Sequence, residues 1–224
     1  MKQRPQALIF DMDGLLLDTE GVYKRSWTVA ASDLGFDLTD TLYLSLIGIT
    51  VADCEKVLVK SFGPDFPLDQ FRSDARTGYE SIVCAEGIPL KSGVRTILDW
   101  AKGSGLPCGI GTSTVTEEAR NRLIHHDILD RFSVVVGGDQ VSHGKPDPEI
   151  FLKVALGLGY APEHCLVFED AHSGVRAARA AGMPVVLVPD LLPSTEDIAA
   201  LSCGVFPSLD HTVDWLRTLP MSSS

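Results

Sequence analysis

Asp11 and Asp13, one residue apart in Asp11-Met12-Asp13-Gly14, are the pair in this chain with the clearest capacity for chemistry. They follow the apolar run Ala7-Leu8-Ile9-Phe10, which reads as a fully buried strand of a parallel sheet. Gly14 allows the chain to turn sharply once that strand ends. Both acids are thereby presented at the carboxyl end of a buried strand, the edge where open α/β sheets bind ligands. Neighbouring carboxylates repel unless something cationic sits between them, and oxygen donors suit magnesium. The one-residue separation lets Asp11 keep the strand direction while Asp13 turns with the loop. One can then act as a nucleophile and the other as a proton donor and acceptor. A capped turn accounts for the same residue types, because Asp is common before Gly.

Three more positions fit the same chemistry. Thr112, in Thr112-Ser113-Thr114 after a short apolar run, offers a hydroxyl followed by backbone N–H groups that can grip a phosphoryl oxygen. The alternative is a helix N-cap, a task Thr114 performs equally well. Lys145 lies in His143-Gly144-Lys145-Pro146-Asp147-Pro148, where flanking Gly and Pro restrict the backbone. Its ammonium would offset repulsion between a carboxylate nucleophile and an incoming phosphate, although a solvated loop lysine has the same local sequence. Glu169 and Asp170 follow the apolar run Cys165-Leu166-Val167-Phe168. They complete a magnesium site with Asp11 and a main-chain carbonyl from the first loop, Asp170 as the direct ligand and Glu169 open to either the first or the second shell. A charge pair at a helix start is the plainer reading.

The elements that must position these groups follow an α/β rhythm. Apolar runs at 7–10, 107–111, 134–136, 165–168 and 184–188 read as strands. Helical periodicity covers 94–102, 117–125, 148–157 and 173–181, with a further edge strand at Gly204-Val205-Phe206 and a closing helix around 213–216. Strands alternating with helices of this length imply right-handed crossovers and a parallel sheet covered on both faces. Between the first and second strands lies a block of about 70 residues that reads as helices only. Tyr23, Trp27, Ala30, Ala31 and Leu34 recur at helical spacing there, followed by helices over 51–60 and 68–84. The chain thus reads as a core from 1–17 and 88–224, with a helical insertion over 18–87.

With 224 residues, of which 45% are hydrophobic, the chain can bury one sizeable core. The net charge of −11 argues against non-specific contact with nucleic acid or an anionic membrane. Cys54, Cys84, Cys108, Cys165 and Cys203 are odd in number and widely spaced, and they read as reduced core thiols. No apolar run reaches the ~18 residues of a membrane span and no signal peptide precedes the first strand, so a cytoplasmic monomer is the expectation.

Taken together and in order, these residues resemble the haloacid dehalogenase-like hydrolases. Phe10-Asp11-Met12-Asp13-Gly14 with Leu17-Asp18-Thr19-Glu20 resembles the first motif of that family, and Thr112, Lys145 and Glu169-Asp170 resemble the second, third and fourth. The resemblance implies a Rossmann-like, three-layer α/β/α core with an inserted helical cap. It also implies Asp11 as nucleophile, Asp13 as general acid/base, Thr112, Ser113 and Lys145 as phosphoryl binders, and magnesium held by Asp11, Asp170 and the Asp13 carbonyl beside Glu169. The implied activity is hydrolysis of a small phosphorylated metabolite, with stretches of the core similar to pseudouridine-5′-phosphatases. The alternatives are a β-phosphoglucomutase and a catalytically silent phosphate-binding module. Mutases of this kind carry a histidine where Tyr23 stands, and an arginine that Gly48-Ile49-Thr50-Val51 does not offer. The cap residues Tyr23, Lys24, Trp27, Arg72 and Arg76 are unassigned candidates for substrate choice.

Overall fold

The strand β1 (Ala7–Phe10) occupies the middle of a five-stranded parallel sheet of order β3-β2-β1-β4-β5. It does so in a computed structural model that describes residues 4–47 and 51–220. The other strands are β2 (Cys108–Gly111), β3 (Val134–Val136), β4 (Cys165–Glu169) and β5 (Val185–Leu187). β1 pairs on one side with β2, Phe10 opposite Ile110, and on the other with β4, Phe10 opposite Phe168. Successive connections therefore run away from β1 in one direction through β2 and β3, and resume on its other side at β4. That reversal opens a crevice at the carboxyl ends of β1 and β4.

Chain contacts divide the molecule into two compact units, Met1–Asp18 with Leu90–Ser224, and Thr19–Pro89. The first unit holds the sheet. Its helices are α5 (Val94–Gly103), α6 (Thr116–His125), α7 (Glu149–Leu158), α8 (His172–Ala180), α9 (Glu196–Leu201) and α10 (Leu209–Thr218). One face of the sheet, with Ala7, Ile9, Val167 and Val185, packs on Phe151 and Val154 of α7 and Val175 and Ala178 of α8. The alternate residues Leu8, Phe10, Leu166, Phe168 and Val186 point to the opposite face and are also fully buried. Burial on both faces is why these strands read as continuous apolar runs rather than as alternation.

The second unit is wholly helical among its described residues. It consists of α1 (Thr19–Asp33), α2 (Asp40–Leu44), α3 (Val51–Phe62) and α4 (Leu68–Glu86), with α1 packed along α4. Its interior is aromatic. Phe36, Phe62, Phe66 and Phe71 form a chain of rings with centroids 4.9–5.3 Å apart, and Trp27 stands edge-on to Phe71 at 5.4 Å.

Several local expectations change. Gly204-Val205-Phe206 forms a single bridge between Leu187 and Val205 rather than a strand, and α2 and α9 have no counterpart in the sequence reading. Both helices are short, five and six residues, so neither carries a readable helical period. Tyr23, one of the unassigned cap residues, is 40% exposed, and its ring stacks on Tyr79 at 4.2 Å. Cys54, Cys108 and Cys165 are buried free thiols, Cys203 is half-buried and Cys84 is exposed. Residues 48–50, where an arginine was sought, lie outside the described residues. No helix among the described residues is long and apolar enough to cross a membrane.

Leu8 sits in the central strand with no exposed surface. Leu8→Ala should lower stability by about 2–5 kcal/mol, the cost of lost burial plus a cavity that the flanking strands cannot collapse. Urea denaturation followed by circular dichroism measures this, and a change below about 1 kcal/mol would contradict the assigned core.

Candidate active site

Every polar group of interest except Lys145 leaves the sheet where an apolar strand ends. Asp11 follows β1, and its backbone N–H still donates to Phe168 O of β4 at 3.0 Å, so its position is fixed by the ladder. Thr112 follows β2, with its N–H donating to Val136 O of β3 at 3.1 Å. Glu169 is the last residue of β4, and its carbonyl accepts from Val188 N at 2.7 Å. Lys145 comes from the loop before α7, and its side chain crosses the Phe151 ring with the ammonium 4.9 Å from the centroid.

That ammonium is the meeting point. Lys145 Nζ donates to Asp11 Oδ1 and, at 2.6 Å, to Glu169 Oε1. The three side chains are 7%, 8% and 1% exposed. Glu169 is anchored further, because its Oε2 accepts the backbone N–H groups of Asp170 and Ala171, each at 3.1 Å. Gly174 on α8 makes room for it, since a Cβ there would overlap Glu169 Oε1 at 1.7 Å.

Burial dominates the electrostatics. It pushes the Asp11 carboxyl up to about 8 against the opposing pull of Lys145, with Glu169 and Asp13 adding repulsion. Asp170 is held well above the ordinary carboxylate range, first by burial and then by the charges of Glu169 and Asp11. Burial works against the Lys145 charge, but Asp11 and Glu169 outweigh it and raise its pKa.

Asp11, Glu169 and Asp170 each bring an oxygen within 4.8 Å of the others. This is a set of hard donors of the kind that holds a divalent cation. Because both oxygens of Glu169 already accept hydrogen bonds, Asp11 and Asp170 are the freer donors. Gly14, at φ +86°, leaves the space in which Asp170 sits, since a Cβ there would lie 2.3 Å from Asp170 Oδ2.

The carboxylate of Asp13 lies outside that set. Its Oδ2 accepts from Thr112 Oγ1 at 3.0 Å and Thr114 Oγ1 at 2.7 Å, and its Oδ1 accepts from Arg122 Nη1 of α6 at 2.6 Å. Of the magnesium residues expected from sequence, Asp13 therefore brings no side-chain oxygen to the cluster. The Thr112 hydroxyl faces Asp13, and Ser113 beside it is exposed. Arg122 and Thr114 are the residues that sequence reading missed as partners of Asp13. Arg122 lies 109 residues from Asp13, in a helix whose sequence reads as an ordinary amphipathic segment. Of the cap candidates, Lys24 pairs with Asp40 at 2.9 Å, Arg72 with Glu55 and Asp69, and Arg76 with Glu80 at 2.9 Å.

Known proteins share this arrangement of chain. A phosphorylated carbohydrates phosphatase from Thermotoga maritima is 36% identical over 178 residues, which cover 80% of this chain and 82% of that protein. Fructose-1-phosphate phosphatase YqaB from Escherichia coli is 31% identical over 188 residues, 83% of this chain and 97% of its own. Among solved structures, a provisionally assigned beta-phosphoglucomutase from Thermotoga maritima superposes with a TM-score of 0.79 at 31% identity, over 95% of this chain and 98% of that one. The family profile described as haloacid dehalogenase-like hydrolase matches residues 8–188, which take in β1 from Leu8, the other four strands whole and every acidic residue of the cluster, and the chain belongs to that family.

Proposed function

We propose that this chain is a magnesium-dependent phosphatase that hydrolyses a small phosphomonoester of the sugar-phosphate or nucleoside-monophosphate type through a phosphorylated Asp11. The observation that carries the reading is the buried lysine shared by Asp11 and Glu169 beside Asp170. The named activities of the two phosphatase relatives support the sugar-phosphate part of that substrate class.

Asp11 and Asp170 fit a magnesium ion as side-chain ligands, with the Asp13 carbonyl completing the protein share and Glu169 orienting Lys145 from behind. When bound, the cation neutralises phosphoryl oxygens and fixes them for in-line displacement. Asp11 attacks phosphorus while the ester P–O bond breaks. Asp13 gives its proton to the departing oxygen, leaving an alcohol and an acyl phosphate on Asp11. Asp13 then takes a proton from water as that water attacks phosphorus. The bond to Asp11 breaks, and inorganic phosphate leaves. Thr112 and Lys145 bind the transferred group. To free the Thr112 hydroxyl for that task, Asp13 rotates off it, toward the leaving oxygen. The helical unit Thr19–Pro89 serves as the cap that selects the substrate and excludes water while Asp11 attacks.

Purified protein incubated with p-nitrophenyl phosphate and a panel of sugar and nucleoside monophosphates should release phosphate with magnesium and stop with EDTA. Asp11→Asn should reduce turnover to background with the fold intact. In kcat/KM, which reads the first step, Asp13→Asn should cost roughly 10²–10⁴-fold on alkyl phosphates and much less on p-nitrophenyl phosphate, whose leaving group needs no proton, while hydrolysis of the acyl phosphate should slow alike for both. Equal losses in kcat/KM on both substrates would remove Asp13 from the acid role. Conversion of β-glucose 1-phosphate to its 6-phosphate isomer in place of phosphate release would favour the mutase reading.

The same charges set a pH dependence. Asp11 titrates near 8 when folded, and near the ordinary carboxylate value of about 4 when unfolded. Between these values the folded chain holds a proton that the unfolded chain has lost, so stability falls as pH rises through this window. Asp170 acts in the same direction, while Lys145 stays charged in both states. In EDTA the urea midpoint should therefore drop between pH 5 and pH 8, and Asp11→Asn should flatten the slope. Added magnesium should stabilise more at pH 8 than at pH 5, because it binds the deprotonated ligands. A magnesium shift independent of pH would contradict the assignment of Asp11 and Asp170 as ligands.

A further inference from the structure

Asp190 lies just beyond β5, on the rim that carries Glu169 and Asp170. The hydrogen bond from Val188 N to Glu169 O ties the end of β5 to the end of β4 and brings Asp190 to that rim. Its side chain is only 7% exposed. Oδ1 accepts from the ammonium of Lys91, which also stands 3.8 Å from Asp18. Oδ2 is fully buried and has no hydrogen-bond partner among the described residues. Such an orphaned acceptor costs the full desolvation of the group, which a single lysine contact at the other oxygen does not repay.

The direction of that oxygen is informative. A Cβ placed on Gly14 would lie 2.3 Å from Asp170 Oδ2 and 3.4 Å from Asp190 Oδ2. The two carboxylates therefore meet over the same glycine, with no side chain to separate them. With Asp170 ionised, as a metal ligand must be, the fully buried Asp190 Oδ2 and the Asp170 carboxylate face one another as acceptors and need a donor between them. Lys91 cannot serve, because it is bound to the far oxygen. Magnesium, which retains several waters when few protein carboxylates hold it, supplies such donors.

We propose that Asp190 is a positioning residue of the cation site. Its Oδ2 accepts a hydrogen bond from a water in the hydration shell of an ion held by Asp170, and Lys91 fixes its orientation from the other side. The inference rests on the reading of Asp11 and Asp170 as the ligands. Groups that orient the shell of a metal in this way are worth about 10–100-fold in affinity.

Asp190→Asn is the direct test. Lys91 is a pure donor, so the amide oxygen must face it, which turns the NH2 group toward Asp170 and places a donor where an acceptor is needed. Magnesium affinity of the full chain, measured by isothermal titration calorimetry, should fall by about 10–100-fold. The urea midpoint in EDTA should be unchanged or higher, because the new donor satisfies Asp170. Asp190→Ser, which shortens the side chain out of reach, should weaken magnesium by a similar factor and covers the case in which the amide variant does not fold. Asp170→Asn is the reference and should abolish magnesium binding. If wild type binds no magnesium, or Asp170→Asn binds it as wild type does, the reading of the ligands falls and this inference falls with it. If Asp170→Asn loses the ion while both Asp190 variants bind it within twofold of wild type, the ligands stand and the inference is overturned. Asp190 is then only the structural partner of Lys91.

Discussion

The sharing of one buried ammonium by two carboxylates is the constraint around which this molecule is built. Lys145, Asp11 and Glu169 are almost entirely out of water, and a lysine at such depth loses its proton unless acids stand against it. Lys145 keeps its charge because both acids do so. The converse does not hold. Asp11, Glu169 and Asp170 outnumber the one lysine, and Asp11 and Asp170 are both shifted toward the protonated form. The pocket is therefore short of positive charge, and a dication is the economical remedy. This also answers how a chain of net charge −11 can accept an anionic substrate. With magnesium held as proposed, the field that a phosphate meets would be set within a few ångströms by the ion and Lys145, while distant surface acids are screened by solvent and salt.

The sheet supplies the precision that this arrangement demands. β1 lies between β2 and β4, so the residues that follow these three strands emerge side by side. The pairing of Phe10 with Phe168, whose rings stack at 4.9 Å, locks the two acidic strand ends to one another immediately beneath the site. A slip of one residue would turn Phe10 or Phe168 out of its layer and send Asp11 or Glu169 to the wrong face, so core packing enforces the catalytic register.

Where a feature is local in the chain, the sequence carries it openly. Ala7-Leu8-Ile9-Phe10 and Cys165-Leu166-Val167-Phe168 are buried on both faces and read as strands, so the acids after them could be placed at strand ends from the sequence alone. Lys145 could be picked out of its loop for the same reason, because Gly144 and Pro146 bracket it. Pairings between distant elements leave no such trace. Arg122 meets Asp13, and Lys91 meets Asp190, at sequence separations of 109 and 99, and each residue looks like an ordinary surface charge in its own segment. Tyr23 makes a related point. A helical period marks which residues share a face, but it does not say that the face is covered, and a tyrosine stacked on a neighbouring tyrosine satisfies the pattern at the surface.

Asp11 and Asp13, one residue apart, come to have different surroundings. If both carboxylates faced the lysine, they would share its charge, and neither would be distinct as nucleophile or acid. Here the turn at Gly14 sends them to different neighbours. Asp11 goes to a lysine in a dry pocket, and Asp13 to two hydroxyls and a guanidinium at its mouth, where its side chain is 29% exposed. A carboxylate bound by neutral hydroxyls and one partly exposed arginine can leave that position at modest cost, because water replaces much of what it loses. Asp11, pinned by the ladder and by Lys145, cannot move without breaking the buried pair. In the proposed reaction, the residue that must stay in line with phosphorus is thus the rigid one, and the residue that must carry a proton between two partners is the one able to turn.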